Sequence, residues 1–432
     1  MALLGALVLA AVACGGDEAQ PLPTASPRAD ASAPIVVPSG APLVIGISAA
    51  LTGSEEPGGR EDRDAALTGI ERWKKQHGDR IAGHEIAVHA EDDACTDREA
   101  AAEAARRLVS VVGLAGVVGP DCSAGAEAAI PVYAAAGITA ISGSTTQTDL
   151  TASGVKPYFF RTAYRNDLQG TLIGLFSFVG LRAKSVYILD DGESYGEDLA
   201  TAAARLMQQV GIRVSHESAD PGAEDFSDLA KQAVGLKPDL VVFAGFNPQA
   251  ALFYRQLRDA GYAGLFGASD AAATVSFLGP LGTQAENVLF SACAVHLPPD
   301  VLADFRKRHG ADPGSSAFTA QMVDAATILL DAVAAVAQEQ PDGSLAIDPG
   351  ALRDAVAATN MQGGASGNIA FDDFGDRVPR PGVNLVALVK QARELSNLDT
   401  YVYLGLIPCQ VQDGRLVNLL GHDAGLARGI PQ

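Results

Sequence analysis

Short apolar runs alternate with longer segments of helical periodicity along most of this chain. Leu43-Val44-Ile45-Gly46-Ile47-Ser48 has the pattern of a buried strand and ends at Leu51-Thr52-Gly53. A helix is expected over 60–76, and an alternating strand over 85–91 that runs into Asp92-Asp93. Asp97 is placed to cap a helix reaching to 112, because its side-chain oxygen can accept from the first free amides. A strand over 114–118, a helix over 124–136 and a strand over 138–141 follow. The rhythm then restarts: strands over 185–189, 212–217 and 239–244 alternate with helices over 193–210, 226–234 and 249–260. Short strands over 265–267 and 288–290, helices over 299–309 and 317–337 and a strand-rich tail complete the pattern.

Strands and helices in this order build parallel sheets through right-handed crossovers. Two such units in 432 residues predict an α/β protein of two Rossmann-like lobes, with more than one crossing between them. No short-period repeat is present. The expected division is 43–162 with 293–366 for the N-terminal lobe, and 163–292 with 367–432 for the C-terminal lobe.

The start of the chain breaks the rhythm. Met1 to Ala13 is almost wholly apolar and leads to Val12-Ala13-Cys14-Gly15. So short a run fits the apolar region of a signal peptide, not a permanent membrane span. Small residues before Cys14 resemble the lipobox of bacterial lipoproteins, which implies a signal peptide over 1–14 and a lipid on the Cys14 thiol. Residues 15–42, rich in Ala, Pro, Ser and Asp, read as a flexible tether. No later run reads as long and apolar enough to cross a membrane. The chain is therefore expected on the periplasmic or cell-surface side, held to the membrane by lipid.

Hydrophobic residues make up 48% of the chain and the formal net charge is −20. A packed protein is implied, and a nucleic-acid partner is disfavoured, since phosphate binding needs a basic surface. Five cysteines are present. They show no CxxC spacing and no clustering with histidine, so a zinc site is poorly supported. No phosphate loop and no G-x-G-x-x-G after a strand is evident, so no cofactor is expected.

In open parallel sheets, ligands bind beyond the carboxyl ends of the strands. There the sequence places Asp121-Cys122-Ser123, Ser142-Gly143-Ser144-Thr145-Thr146, Tyr195 and Ser269-Asp270. Hydroxyls beside a helix N-terminus after Cys122 suit a carboxylate, and Asp270 suits an ammonium. Each of these residues also serves commonly as a turn or helix cap.

Glu91-Asp92-Asp93-Ala94-Cys95, Gly119-Pro120-Asp121-Cys122-Ser123, Ile141-Ser142-Gly143-Ser144-Thr145-Thr146 and Asp190-Asp191-Gly192-Glu193-Ser194-Tyr195-Gly196 follow one another along the chain. This ordered set, with Ala223-Glu224-Asp225-Phe226-Ser227, resembles the bacterial leucine/isoleucine/valine-binding protein family over roughly 43–376. The resemblance implies a periplasmic binding protein of type I: two lobes joined by a three-crossover hinge, with an amino acid enclosed between them and delivered to an ABC transporter permease. It implies ligand contacts from Ser123, Ser144, Thr145, Thr146 and Tyr195, an aromatic wall at Phe246, and an amine partner at Asp270. Ser54-Glu55-Glu56-Pro57-Gly58-Gly59 carries no aromatic where branched-chain binders place one, which implies room for a different or larger side chain. The family joins the positions of Cys95 and Cys122. Both follow predicted neighbouring strands, so a disulfide is expected there, and parity leaves Cys293 and Cys409 to pair or to stay as thiols.

Two other functions fit parts of the sequence. A ligand-sensing receptor domain would have the same fold. Gly192-Glu193-Ser194-Tyr195-Gly196 also matches G-x-S-x-G between a strand and a helix, the setting of a serine hydrolase with Ser194 as nucleophile. That chemistry needs a partner histidine, for which His216, His296, His309 and His422 are available.

Overall fold

The alternation of strands and helices becomes two α/β lobes in a computed structural model, which describes residues 22–26, 30–151, 158–292, 296–378, 409–412 and 415–418. The signal segment 1–14 with Cys14, residues 15–21 of the tether, and Cys293 lie outside these residues, as does the side chain of Cys409. The first lobe runs through β1 (Ile35–Val37), β2 (Leu43–Ala49), α1 (Glu56–His77), β3 (Arg80–Ile81), β4 (His84–Asp92), α2 (Arg98–Ser110), β5 (Leu114–Val118), α3 (Ser123–Ala136), β6 (Thr139–Ser142) and β7 (Phe159–Arg161). The chain then crosses to the second lobe and forms α4 (Asn166–Leu175), β8 (Ser185–Asp190), α5 (Ser194–Gln209), β9 (Arg213–Ser218), α6 (Ser227–Leu236), β10 (Leu240–Ala244), α7 (Gln249–Asp259), β11 (Leu265–Ala268), α8 (Val275–Leu281) and β12 (Leu289–Phe290). It returns with α9 (Pro299–His309), α10 (Thr319–Val336), β13 (Gln338–Glu339), β14 (Leu345–Ile347), α11 (Pro349–Ala357), β15 (Asn360–Gly364) and β16 (Gly367–Ala370). The last described strands, β17 (Cys409–Gln412) and β18 (Arg415–Asn418), belong to the sheet of the second lobe.

The first sheet has the order β3-β4-β2-β5-β6-β7, and only β3 runs antiparallel. β2 is buried at every position, as a central parallel strand covered on both faces must be. The second sheet has the order β18-β17-β12-β11-β10-β8-β9, parallel from β12 to β9. The capping expectation holds: Asp97 accepts from the amides of Glu99 and Ala100 at 3.0 Å each.

Three differences have physical causes. Part of the expected tether is built into the first lobe. Ile35 and Val37 are buried while Val36 points out, and β1 pairs with β14. The Pro/Ser/Ala composition masked this three-residue alternation. Residues 367–378 pack on the first lobe, not the second: Phe371 lies against Phe160 with ring centroids 5.3 Å apart, and Asp376 is the counter-ion of buried Arg161. Finally, Thr319–Val336 is long and apolar enough to cross a membrane, with mean hydropathy 1.4. It is mostly buried and packs against α1 as a core helix.

Where α4 meets α5, Gly170 and Gly174 stand one turn apart. A Cβ on Gly170 would lie 2.6 Å from Ala202 Cβ, and one on Gly174 would lie 2.8 Å from Leu206 Cδ2. Only glycine permits this spacing.

Candidate functional site

The carboxyl ends of both sheets face a cleft between the lobes. Its walls include Glu55, Gly58, Gly59 and Asp62 from the start of α1, and Asp121, Cys122, Ser123 and Ser144 from the ends of β5 and β6. The second lobe contributes Tyr195, Phe246, Ala271 and Thr274, and the return segment contributes 315–318. With its mouth included, the cleft holds about 530 Å³, in the range of small-molecule sites. Gly59 is required here, because a Cβ would lie 1.9 Å from the carbonyl oxygen of Ala50 and push α1 off the end of β2.

Ser123 opens α3, where the first amides have no partner within the helix. Its hydroxyl accepts from the amides of Gln147 (3.2 Å) and Thr146 (3.4 Å), which ties the loop after β6 to the helix end. The Cys95–Cys122 disulfide is present and fixes the same helix end to the loop after β4. Ser144 donates to the backbone oxygen of Asp121 at 2.6 Å and to its carboxylate at 3.0 Å. On the other wall, the rings of Tyr195 and Phe246 meet with centroids 5.0 Å apart. The Phe246 amide donates to Asp191 at 2.8 Å; burial pushes the Asp191 carboxyl up to about 7.

Ser123, Ser144, Tyr195 and Phe246 thus share one cleft, as the sequence places them. Thr145, Thr146 and Asp270 do not reach its wall. The Thr145 side chain is fully buried, and Thr146 is 2% exposed. Asp270 is 1% exposed and accepts from the Tyr195 hydroxyl and, at 2.7 Å, from Gln169 on α4. The acid expected to meet an ammonium instead positions the tyrosine of the aromatic wall. Burial raises the pKa of both Asp270 and Tyr195.

Sequence reasoning missed Glu55, Asp62 and the segment 315–318. Glu61 holds that segment in place: its carboxylate accepts from the amides of Gly314 (2.9 Å) and Ser315 (2.7 Å) and from the Thr319 hydroxyl (2.6 Å). Burial pushes the Glu55 carboxyl up to about 8, and the charges of Asp121 and Asp191 add to this. Burial, then the neighbouring Asp121, holds the Asp62 carboxyl well above the usual range. Adjacent Glu-Asp pairs in the first turns of a helix ordinarily read as solvent-facing. The only sequence signal was their setting among Gly58, Gly59, Ala65 and Ala66.

The hydrolase constellation does not assemble among the described residues. Ser194 Oγ accepts from Arg98 across the lobes, while His216 bonds to Asp190 at 2.6 Å and His309 to Asp64 at 2.8 Å. Another polar contact links the lobes, where the Thr148 amide donates to Asp198 at 2.7 Å; within the second lobe, the Asn166 side chain donates to the Tyr195 carbonyl at 3.2 Å.

A two-lobed α/β scaffold with a polar cleft at its hinge defines a solute-binding protein of type I architecture. Residues 42–392 match the periplasmic binding protein family, and the chain belongs to it. It is 28% identical over 343 residues to a leucine-, isoleucine-, valine-, threonine-, and alanine-binding protein of Pseudomonas aeruginosa, covering 77% of this chain and 87% of that one. It is 28% identical to a Leu/Ile/Val-binding protein homolog of Brucella melitensis, over 68% of this chain and 77% of that protein. The fold matches the leucine-binding protein LivK of Thermotoga maritima with a TM-score of 0.70 at 22% identity, covering 87% of this chain and 97% of that one. It also matches LivJ of Streptococcus pneumoniae in complex with isoleucine, with a TM-score of 0.68 at 20% identity over 87% and 99% of the two chains. Periplasmic binding proteins are exported solute binders, not an enzyme family.

Proposed function

We propose that this protein captures an amino acid, branched-chain or related, between its lobes and delivers it to the permease of an ABC transporter. The observation that carries this reading is the cleft itself, where a hydroxyl-lined helix N-terminus on one lobe faces a Tyr195–Phe246 wall on the other. Helix α3 and Ser123 offer donors to a carboxylate, and Ser144 stands beside them. The aromatic pair covers the solute from the second lobe. A ligand that touches both walls favours the closed arrangement over an open one, because only the closed form makes both sets of contacts. No catalytic step is assigned to any residue. Relatives named for leucine, isoleucine, valine, threonine and alanine support the amino-acid class.

Acylation of Cys14 would tether the protein beside its permease on the outer side of the membrane. The test of the binding reading is calorimetry and thermal shift against a panel of amino acids. At a concentration 100 times Kd, a ligand adds about 2.7 kcal/mol to stability. Ser123→Ala should weaken binding by about 1–3 kcal/mol. A panel that leaves the melting temperature unmoved removes the reading.

A further inference from the structure

The first-lobe wall of the cleft is acidic beyond what a neutral amino acid needs. Glu55, Asp62 and Asp121 all line it, and no lysine, arginine or histidine is among the described residues that do. An acidic group alone shows only charge, but here one member, Asp62, which hydrogen-bonds Asp121 and Ser316, keeps one carboxyl oxygen without a partner where that is costly. Asp62 is 4% exposed, it lines the cleft, and its Oδ1 makes no hydrogen bond. Glu55 lines the same space, and its Oε1 is also buried without a hydrogen bond. A buried carboxylate oxygen with no donor is destabilising unless something supplies one.

The protein supplies donors elsewhere in the layer. Asp121 accepts from the Ala50 amide at 3.2 Å and from Ser144. Asp93, behind it, accepts from the Ser48 hydroxyl and from the Asp121 amide, each at 3.0 Å. Those two acids have their bonds supplied by the fold, whereas Asp62 and Glu55, which line the cavity, each keep a buried oxygen that the fold leaves without a partner. The asymmetry points to a donor that arrives with the solute. Ser144, which the resemblance would give to the ligand, is meanwhile engaged by Asp121.

We propose that the solute carries a cationic ammonium or guanidinium group that docks against Asp62 and Glu55, with Asp121 behind them. The protein is then a binder of basic amino acids or of small amines that share this group. The proposal rests on the reading of the cleft as an amino-acid site and narrows the solute class. A guanidinium suits the wall well, because its several N–H donors can serve carboxylates on different elements at once.

The test is calorimetry on the intact exported protein with arginine, lysine, agmatine and leucine as separate probes. Arginine or lysine is expected to bind at least tenfold more tightly than leucine. Agmatine, which lacks the carboxylate, separates the two sources: equal affinity for agmatine and arginine assigns the site to amines, and loss with agmatine assigns it to basic amino acids. Asp62→Asn should weaken the cationic probe at least tenfold while the unliganded melting temperature holds or rises, since it removes a carboxyl group crowded by Asp121. Glu55→Gln gives the same comparison if the first variant fails to fold. Failure of arginine, lysine and agmatine alike overturns the inference. In that event, leucine binding preserves the cleft as a solute site, and the failure of leucine as well removes that reading too. A cation that binds equally to wild type and to both variants overturns the inference.

Discussion

Replacing Cys95 and Cys122 together by Ala tests how far the cleft depends on its covalent tie. The bond joins residues 27 apart in sequence. The chain-entropy relation for a loop of that size gives about 3.5 kcal/mol of stability, drawn from the unfolded ensemble. Both side chains are buried, and Ala keeps the sites small and apolar, so little cavity cost adds to this. The chain has one tryptophan. Trp73 lies in α1, 4% exposed, with its indole N–H donating to Asp331 at 2.7 Å. Its fluorescence therefore reports unfolding of the first lobe alone. With a urea slope of about 1–3 kcal/mol/M, the midpoint should fall by roughly 1–3 M. Reductant added to the wild type should reproduce the shift and should do nothing to the variant. A loss under about 1 kcal/mol would refute the argument and show that the hydrogen bonds that Asp93 and Ser123 accept already hold the end of α3.

Other outcomes follow from particular contacts. Asp376→Asn removes the counter-ion of a fully buried arginine. It should cost about 3–5 kcal/mol and raise amide hydrogen exchange in the loop whose carbonyls Arg161 holds at Gln147 and Thr145, and near-wild-type urea unfolding would contradict this. Because the Glu55 pKa is raised to about 8, the unliganded fold keeps that proton at neutral pH. Its contribution to stability is full below about 4.5 and is lost as pH rises through 8, so the melting temperature should fall over that window unless Glu55→Gln is present. A cationic ligand favours the ionised carboxylate and so should bind more tightly as pH rises from 6 to 8, with proton release; calorimetric heats at pH 6.5 that do not vary with the buffer's ionisation enthalpy would argue against it. Ser194→Ala should leave solute binding within about twofold, and serine-directed fluorophosphonate labelling of Ser194 would reopen the hydrolase reading.

Local pattern was the readable part of this molecule. The strand at Leu114–Val118 and the helix at Pro299–His309 lie where apolar spacing puts them, and Asp97 caps as its chemistry requires. Ser123, Ser144 and Tyr195 are legible because they follow strand ends, and strand ends define the cleft in this architecture; Phe246 is legible only through the family resemblance. Asp62 was not legible: it sits in a helix whose periodicity is satisfied by its other face, and its burial depends on Ser316, some 250 residues later in the chain. Asp270 was visible as a residue but not in its role, because its partner Gln169 stands on α4, for which no helix was expected. β7 and α4 together form the first crossing, where short apolar strands and a small-residue helix give a weak periodic signal.

The glycine contact between α4 and α5 places a remote control on ligand preference. α4 carries Gln169, which with Tyr195 holds Asp270, and α5 carries Tyr195 itself. A single methyl at Gly170, which would meet the Ala203 amide nitrogen at 2.6 Å, must therefore be absorbed by separating the two helices that position the aromatic wall, and one at Gly174 by displacing Leu206. Selection for altered solute range would reach the cleft through these outlying positions, without touching any residue that lines it.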